Sequence, residues 1–167
     1  MTIFSDRLIL MHSVNFKHLC LAFAVMAIIC PLAGAAGERP VAVLKDKPHS
    51  LTIVPAEAKN VTRTFSVVLY NNTNQLRAKG LQGFRPLQPD EAVLFVYAQP
   101  ERVTFWMGTV TFPIDIIFVG PDAVIFQVYR HCTPGSRDTY PSGRPVQWVI
   151  ETAAGSGIQV GERVRIK

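Results

Sequence analysis

Phe105 to Val119 reads FWMGTVTFPIDIIFV, the densest apolar run beyond the N-terminal segment. It divides into two strands. Successive strand side chains point to opposite faces. In the first, Val103, Phe105 and Met107 therefore share one face, and Thr104 and Trp106 the other. Gly108 ends that strand or marks a bulge. Pro113 opens the second, where its missing N–H costs little. There Ile114, Ile116 and Phe118 share one face, and Asp115, Ile117 and Val119 the other. Two apolar faces predict a strand buried on both sides. Asp115 is the exception within it. A buried carboxylate without partners is costly, so the acid sits at a rim or is hydrogen-bonded. It is either a structural acid held by backbone N–H groups or an Arg, or the acid of a pocket.

Outward from this run the same alternation recurs. Leu51–Val54, Thr62–Tyr70, Glu91–Ala98 and Pro145–Thr152 read as strands, and Ile158–Val160 with Arg163–Ile166 as a closing hairpin-like pair. Gly120-Pro121-Asp122 is a tight turn, so Ala123–Arg130 pairs back on the PIDIIFV strand. Asn71 to Asn74 supplies turn and N-cap residues for one short helix near Gln75–Leu81, which Gly80 and Gly83 stop early. His131 to Arg144 is a long polar loop, of a length more often functional than structural. Roughly eight short strands at a spacing of about 8–12 residues, with one helix, predict a mainly-β domain. The expected architecture is a small antiparallel β-sandwich or jelly-roll-like fold.

Residues 1–35 read as a signal peptide. Leu19 to Leu32 (LCLAFAVMAIICPL) is an apolar stretch shorter than a membrane span, and Ala33-Gly34-Ala35 is a small-residue cleavage site. The implied destination is a bacterial periplasm or the exterior, with membrane attachment only through an uncleaved leader. Residues 36–61 read as a linker and N-terminal extension, and 62–167 as the β domain.

Composition sets further bounds. Hydrophobic residues make up 49% and charged residues 17% of the chain, which argues for an ordered core. The net charge is +5, and +4 without Asp6, Arg7 and Lys17 of the leader. The basic residues are scattered singly, with no aromatic interleaving of the kind that makes a nucleic-acid groove, so no nucleic-acid partner is expected. Cys20 and Cys30 lie in the leader, which leaves Cys132 alone in the domain. It is a small packed residue or a thiol free to pair with another chain.

Gly80-Leu81, Phe84-Arg85, Leu94-Phe95-Val96, Phe105-Trp106-Met107, Pro113 to Phe118, Tyr140-Pro141-Ser142, Val149-Ile150-Glu151 and Val160 to Val164 together resemble the domain of unknown function 192 family. The likeness runs from about Phe65 to Ile166, and FWM followed by PIDIIF is its most specific part. The resemblance implies an exported β-sandwich or jelly-roll-like domain with one short helix. It supplies no catalytic residue. It suggests Arg85 as an ion-pair partner of Asp115. Two departures stand out: Leu81-Gln82 replaces a Leu-Met, and Gly108-Thr109-Val110 replaces a Lys-Asn-Thr.

Motifs for chemistry are sparse. Beyond the leader the chain offers His49, His131 and Cys132 as metal-ligand types, and the adjacent pair would face opposite ways on a strand. Ser142, His131 and Asp115 make a triad only on paper, since no nucleophile elbow is present. No cofactor motif is found. The favoured reading is a non-enzymatic domain that binds a small ligand or cell-envelope partner. Its candidate ligand-binding residues are Arg85, Trp106, Asp115, Tyr140 and Ser142. The alternative is an envelope hydrolase acting through Asp115 or Glu151. For both tryptophans, core filling is the competing expectation.

Overall fold

The computed structural model describes residues 46–57 and 61–167. The leader read at 1–35 lies outside the described residues. These hold nine strands and one helix in the order β1 (Ser50–Val54), β2 (Arg63–Asn71), α1 (Asn74–Lys79), β3 (Glu91–Glu101), β4 (Thr104–Trp106), β5 (Ile114–Val119), β6 (Ile125–Cys132), β7 (Thr139–Pro141), β8 (Val146–Ala153) and β9 (Arg163–Ile166).

Seven strands form one sheet in the order β6-β5-β8-β3-β2-β1-β9, and β4 pairs with β7 as a separate ribbon. The sheet curls. Its two edge strands approach each other where Val124 bridges Arg163 and the Ile125 amide donates to the Glu162 carbonyl at 2.9 Å. The expected mainly-β fold with one short helix is therefore the observed one. The antiparallel sandwich or jelly-roll-like arrangement is refined: the strands form one curled seven-stranded sheet with a separate ribbon, and β2 and β3 run parallel, with α1 in the crossover between them.

Curling gives the sheet two apolar sides. The concave side is filled by Leu51, Ile53, Phe65, Leu94, Ile117 and Ile150 among others. On the convex side Val93, Phe95, Ile114, Ile116, Phe118 and Val149 form a second core. Alternation assigns them: along β3, Ala92, Leu94 and Val96 point inward, and Val93, Phe95 and Tyr97 outward. This is why β5 is buried at all six positions, as the two apolar faces of PIDIIFV predict.

The convex core is roofed by α1 and the β4–β7 ribbon. Thr73 caps α1, its hydroxyl accepting from the Leu76 amide at 3.2 Å. Gly80 ends it at φ +50, a left-handed position that favours glycine. The ribbon is tied down by aromatic edges: Phe105 meets Phe95 at 5.0 Å and Phe118 at 6.0 Å, and Tyr140 meets Tyr129 at 5.2 Å. β7 falls within the segment read as a long polar loop. Three residues ending in Pro carry no period-2 signal, and their partner β4 lies more than thirty residues away. At the N-terminal side, β1 pairs with both β2 and β9, so part of the stretch assigned to the extension is integral to the sheet.

Candidate functional site

Roof and sheet leave a pocket of about 350 Å³ on the convex side. Its floor is Phe95 and Tyr97 of β3 and Glu151 of β8; one wall is the last turn of α1 with Arg77, Lys79 and Gly80. The opposite wall is β4 with Phe105 and Trp106 and the turn bearing Thr109, and Glu101 stands at the end of β3.

Glu151 reaches the floor by strand parity. Along β8, Trp148 and Ile150 point into the concave core, which turns Val149 and Glu151 outward beneath the roof. The side chain is 5% exposed, and its Oε2 has no hydrogen-bond partner among the described residues. Burial pushes its carboxyl up to about 8, so it is protonated at neutral pH. Tyr97 beside it is also held above its ordinary value by burial. An unpartnered buried polar group costs free energy unless something completes its bonding.

Trp106 is 57% exposed, on the face opposite Phe105 and Met107 as alternation places it, so the core-filling expectation fails for it. Its indole lies over Gly108, where an added Cβ would stand 2.1 Å from the ring. Only glycine permits this close approach. Core filling describes Trp148, which is 5% exposed, and not Trp106. At the mouth, Arg77 is fixed by Val96, whose carbonyl accepts at 2.6 Å, by the Asn74 side chain and by the Tyr97 ring 4.7 Å away. Lys79 is exposed, and no ion pair involving it occurs among the described residues.

Of the five candidate ligand-binding residues named from sequence, Trp106 alone lines this pocket; Glu151, named as a hydrolase acid, lines it as well. Asp115 is fully buried at the start of β5, on the concave face. Its Oδ1 accepts from the His131 amide at 2.9 Å. Its Oδ2 accepts from the amides of Gly155 and Ser156 at 3.1 and 3.0 Å and from the Ser156 hydroxyl at 2.8 Å. It is the structural acid held by backbone N–H groups.

The expected Arg85–Asp115 pair is not formed. Arg85 makes a two-pronged contact with Glu91, both bonds 2.7 Å, and Glu91 is held down to about 2 by that bond first and by the Gln88 amide next. Local geometry decides this: Glu91 is six residues away across the Pro-rich turn, whereas Asp115 is already saturated. Tyr140 lies in the ribbon against Tyr129. Ser142 is buried, its hydroxyl accepting from the Val103 amide at 3.1 Å and donating to the Arg144 carbonyl at 2.8 Å. Both residues build the roof.

The paper triad is not assembled. The Ser142 hydroxyl is engaged with backbone, and Asp115 bonds the backbone of His131 instead of its ring. Among the described residues no three His, Cys, Asp or Glu side chains converge as metal ligands. Cys132 is buried, donates to the Tyr129 carbonyl at 3.8 Å, and has its thiol pushed up to about 11 by burial first and by the Asp115 charge next. It is the small packed residue of the two readings.

From the sequence, Glu151 stands out only as a hydrolase acid, and Arg77, Lys79, Tyr97 and Glu101 do not stand out. The available signal was Glu151 itself, an acid in the middle of an apolar strand. The signal for the others was weaker, because single charges near a helix end are ordinary surface chemistry.

Fold and site together define a class: a small mainly-β domain whose one curled sheet carries a roofed pocket on its convex side. Within it, the chain belongs to the DUF192 family, described as "Uncharacterized ACR", whose model matches residues 54–166. No curated protein matches the chain. Two crystal structures share the fold. One, described as a candidate transcription regulator from Sinorhizobium meliloti 1021, is 24% identical with a TM-score of 0.66, over 75% of this chain and 98% of that one. The other, a protein of unknown function from Novosphingobium aromaticivorans DSM 12444, is 28% identical with a TM-score of 0.64, over 70% of this chain and 83% of that one.

Proposed function

We propose that this protein is an exported, non-enzymatic domain that binds a small ligand in the pocket between α1 and β4. The observation that carries this reading is Glu151: a buried carboxyl with an unpartnered oxygen, beneath a wall that exposes Trp106. Pockets for small molecules combine aromatic walls with a few convergent polar groups. This one has that make-up, at the small end of the usual size range. Export rests on the leader read at residues 1–35 and on its Ala33-Gly34-Ala35 site. The partner is thus a periplasmic or extracellular small molecule, or an envelope component that presents one. No nucleic-acid role is proposed, since a likeness at 24% identity to a candidate regulator carries the fold alone.

A thermal-shift screen of the purified protein against envelope-derived small molecules tests this. A ligand selective for the folded state raises the melting temperature by mass action. The expected result is a shift that Trp106→Ala abolishes. Shifts that survive Trp106→Ala would place binding elsewhere. Intact-mass measurement of the periplasmic fraction tests export: residues 1–35 should be missing, and a retained Leu19–Leu32 segment would indicate an anchor.

A second reading has one observation in its favour, the presence of two carboxyl groups, Glu101 and Glu151, around the same pocket. That reading is an envelope hydrolase with Glu151 as the proton donor. Asp115 has no part in it, because its oxygens are committed to structure. Turnover of a pocket ligand that Glu151→Gln abolishes while binding persists would favour it.

A further inference from the structure

We propose that the pocket takes a single hydroxylated ring that carries a carboxylate, with a ring hydroxyl on Glu151, the ring against Trp106 and the carboxylate toward Arg77 and Lys79. This rests on the reading of the pocket as a ligand site and names the ligand's chemistry.

Size comes first. About 350 Å³ is near the lower limit for small-molecule sites and suits one six-membered ring with its substituents. The floor comes next. Glu151 lines the floor, is more than nine-tenths buried, and its Oε2 lacks a partner among the described residues, so a ligand whose inner end brings a hydrogen-bonding group to this carboxyl is favoured. A purely apolar ring would leave that group unsatisfied. A hydroxyl satisfies it, because it both donates and accepts. The wall gives the shape: the Trp106 indole is seated on Gly108 and largely open, a flat surface for the face of a ring.

Charge sets the outer end. The last turn of α1 brings Arg77 and Lys79 to the mouth, against one acid, Glu101. Among the described residues, Tyr97 in the floor and Cys132 nearby also interact with Glu151; both are raised by burial and neutral at pH 7. With Glu151 also protonated, the surroundings of an incoming ligand are net positive. Arg77 is a fixed charge, clamped by Val96, Asn74 and Tyr97. Lys79 has no ion-pair partner among the described residues and is free to meet an anion.

Two sources share this chemistry: a uronic acid and a hydroxybenzoate. Titration calorimetry on the purified protein separates them with glucuronate and 4-hydroxybenzoate, each beside its uncharged counterpart, glucose and 4-hydroxybenzyl alcohol. The expected result is that at least one acid binds about tenfold tighter than its counterpart. Lys79→Ala, an exposed change that leaves the core intact, should cut that preference about fivefold. Affinity for the acid should fall as pH rises through about 8, where Glu151 ionises, and Glu151→Gln should remove that dependence.

Counterparts that bind as tightly as the acids would overturn the carboxylate while leaving the pocket reading intact. Acids whose affinity is unchanged by both Trp106→Ala and Lys79→Ala would overturn the pocket itself as their site. Absence of binding by all four probes up to about 10 mM would overturn the ligand class, and the thermal-shift screen would then decide the pocket reading separately.

Discussion

Asp115 and Glu151 are both buried acids on central strands, and they solve the problem of burial in opposite ways. Asp115 accepts three backbone N–H bonds and one hydroxyl bond, which satisfies both its oxygens without any cation. His131 supports it from a left-handed position, φ +50, where β6 slips in register against β5. Asp115→Ala would strand those amides in the interior. The expected loss is about 3–5 kcal/mol of unfolding free energy in urea. A double-mutant cycle between Arg85 and Asp115 should show coupling near zero. The cycle between Arg85 and Glu91 should show a small favourable coupling, since the Arg85 side chain is 52% exposed and water screens the pair. Clear coupling between Arg85 and Asp115 would contradict the structure.

The β4–β7 ribbon is the element on which the pocket depends. It is three residues long on each side, too short to be stable alone. Its position comes from the aromatic edges beneath it and from the Ser142 staple at one end. There the Ser142 amide donates to the Val103 carbonyl at 2.9 Å, and the Ser142 hydroxyl accepts from the Val103 amide. Tyr129 adds a second tie, its hydroxyl donating to the Pro141 carbonyl at 3.0 Å. Ser142→Ala should cost about 1–2 kcal/mol. It should also speed amide exchange at Val103 and Phe105 more than in β5 or β8, as expected of a locally opening unit. Uniform exchange across all strands would show that the ribbon and sheet open together.

For the whole molecule, two glutamates pull stability in opposite directions along the pH axis. Glu91 is held near 2, below its ordinary 4.5, so its contribution is present above about 4.5 and lost as pH falls toward 2. Exposure of its partner limits this to about 1 kcal/mol or less. Glu151 is raised to about 8. The folded state then binds a proton that the unfolded chain has released. Stability from this group is full below about 4.5, declines from there to about 8, and is level beyond. Burial makes Glu151 the larger effect on the neutral side. Glu151→Gln should therefore raise stability at pH 7, by up to about 3 kcal/mol, and flatten the profile between pH 5 and 8. Thermal melts across that range check it, and a wild-type melting temperature that rises from pH 5 to 8 would refute the buried neutral acid.

Alternation along single strands was legible in the chain alone. It placed Ile114, Ile116 and Phe118 opposite Asp115, Ile117 and Val119, and it turned Trp106 away from Phe105 and Met107, because side-chain direction in a strand has a strict period of two. The short helix behind Thr73 and the hairpin at Gly120 were legible for the same local reason: caps and turns are written in consecutive residues. Partners were not. Asp115 is satisfied by amides about forty residues away at Gly155 and Ser156, and Arg85 by an acid six residues away; sequence holds no rule for choosing between them. The parallel crossing of β2 and β3, the pairing of β4 with β7 and the seating of Glu151 under α1 all arise from how a twisted sheet curls and which loops then cover its outer side. Period fixes the face a residue occupies. Only the long-range packing of the sheet decides what lies across from that face, and the pocket is made entirely of such cross-chain neighbours.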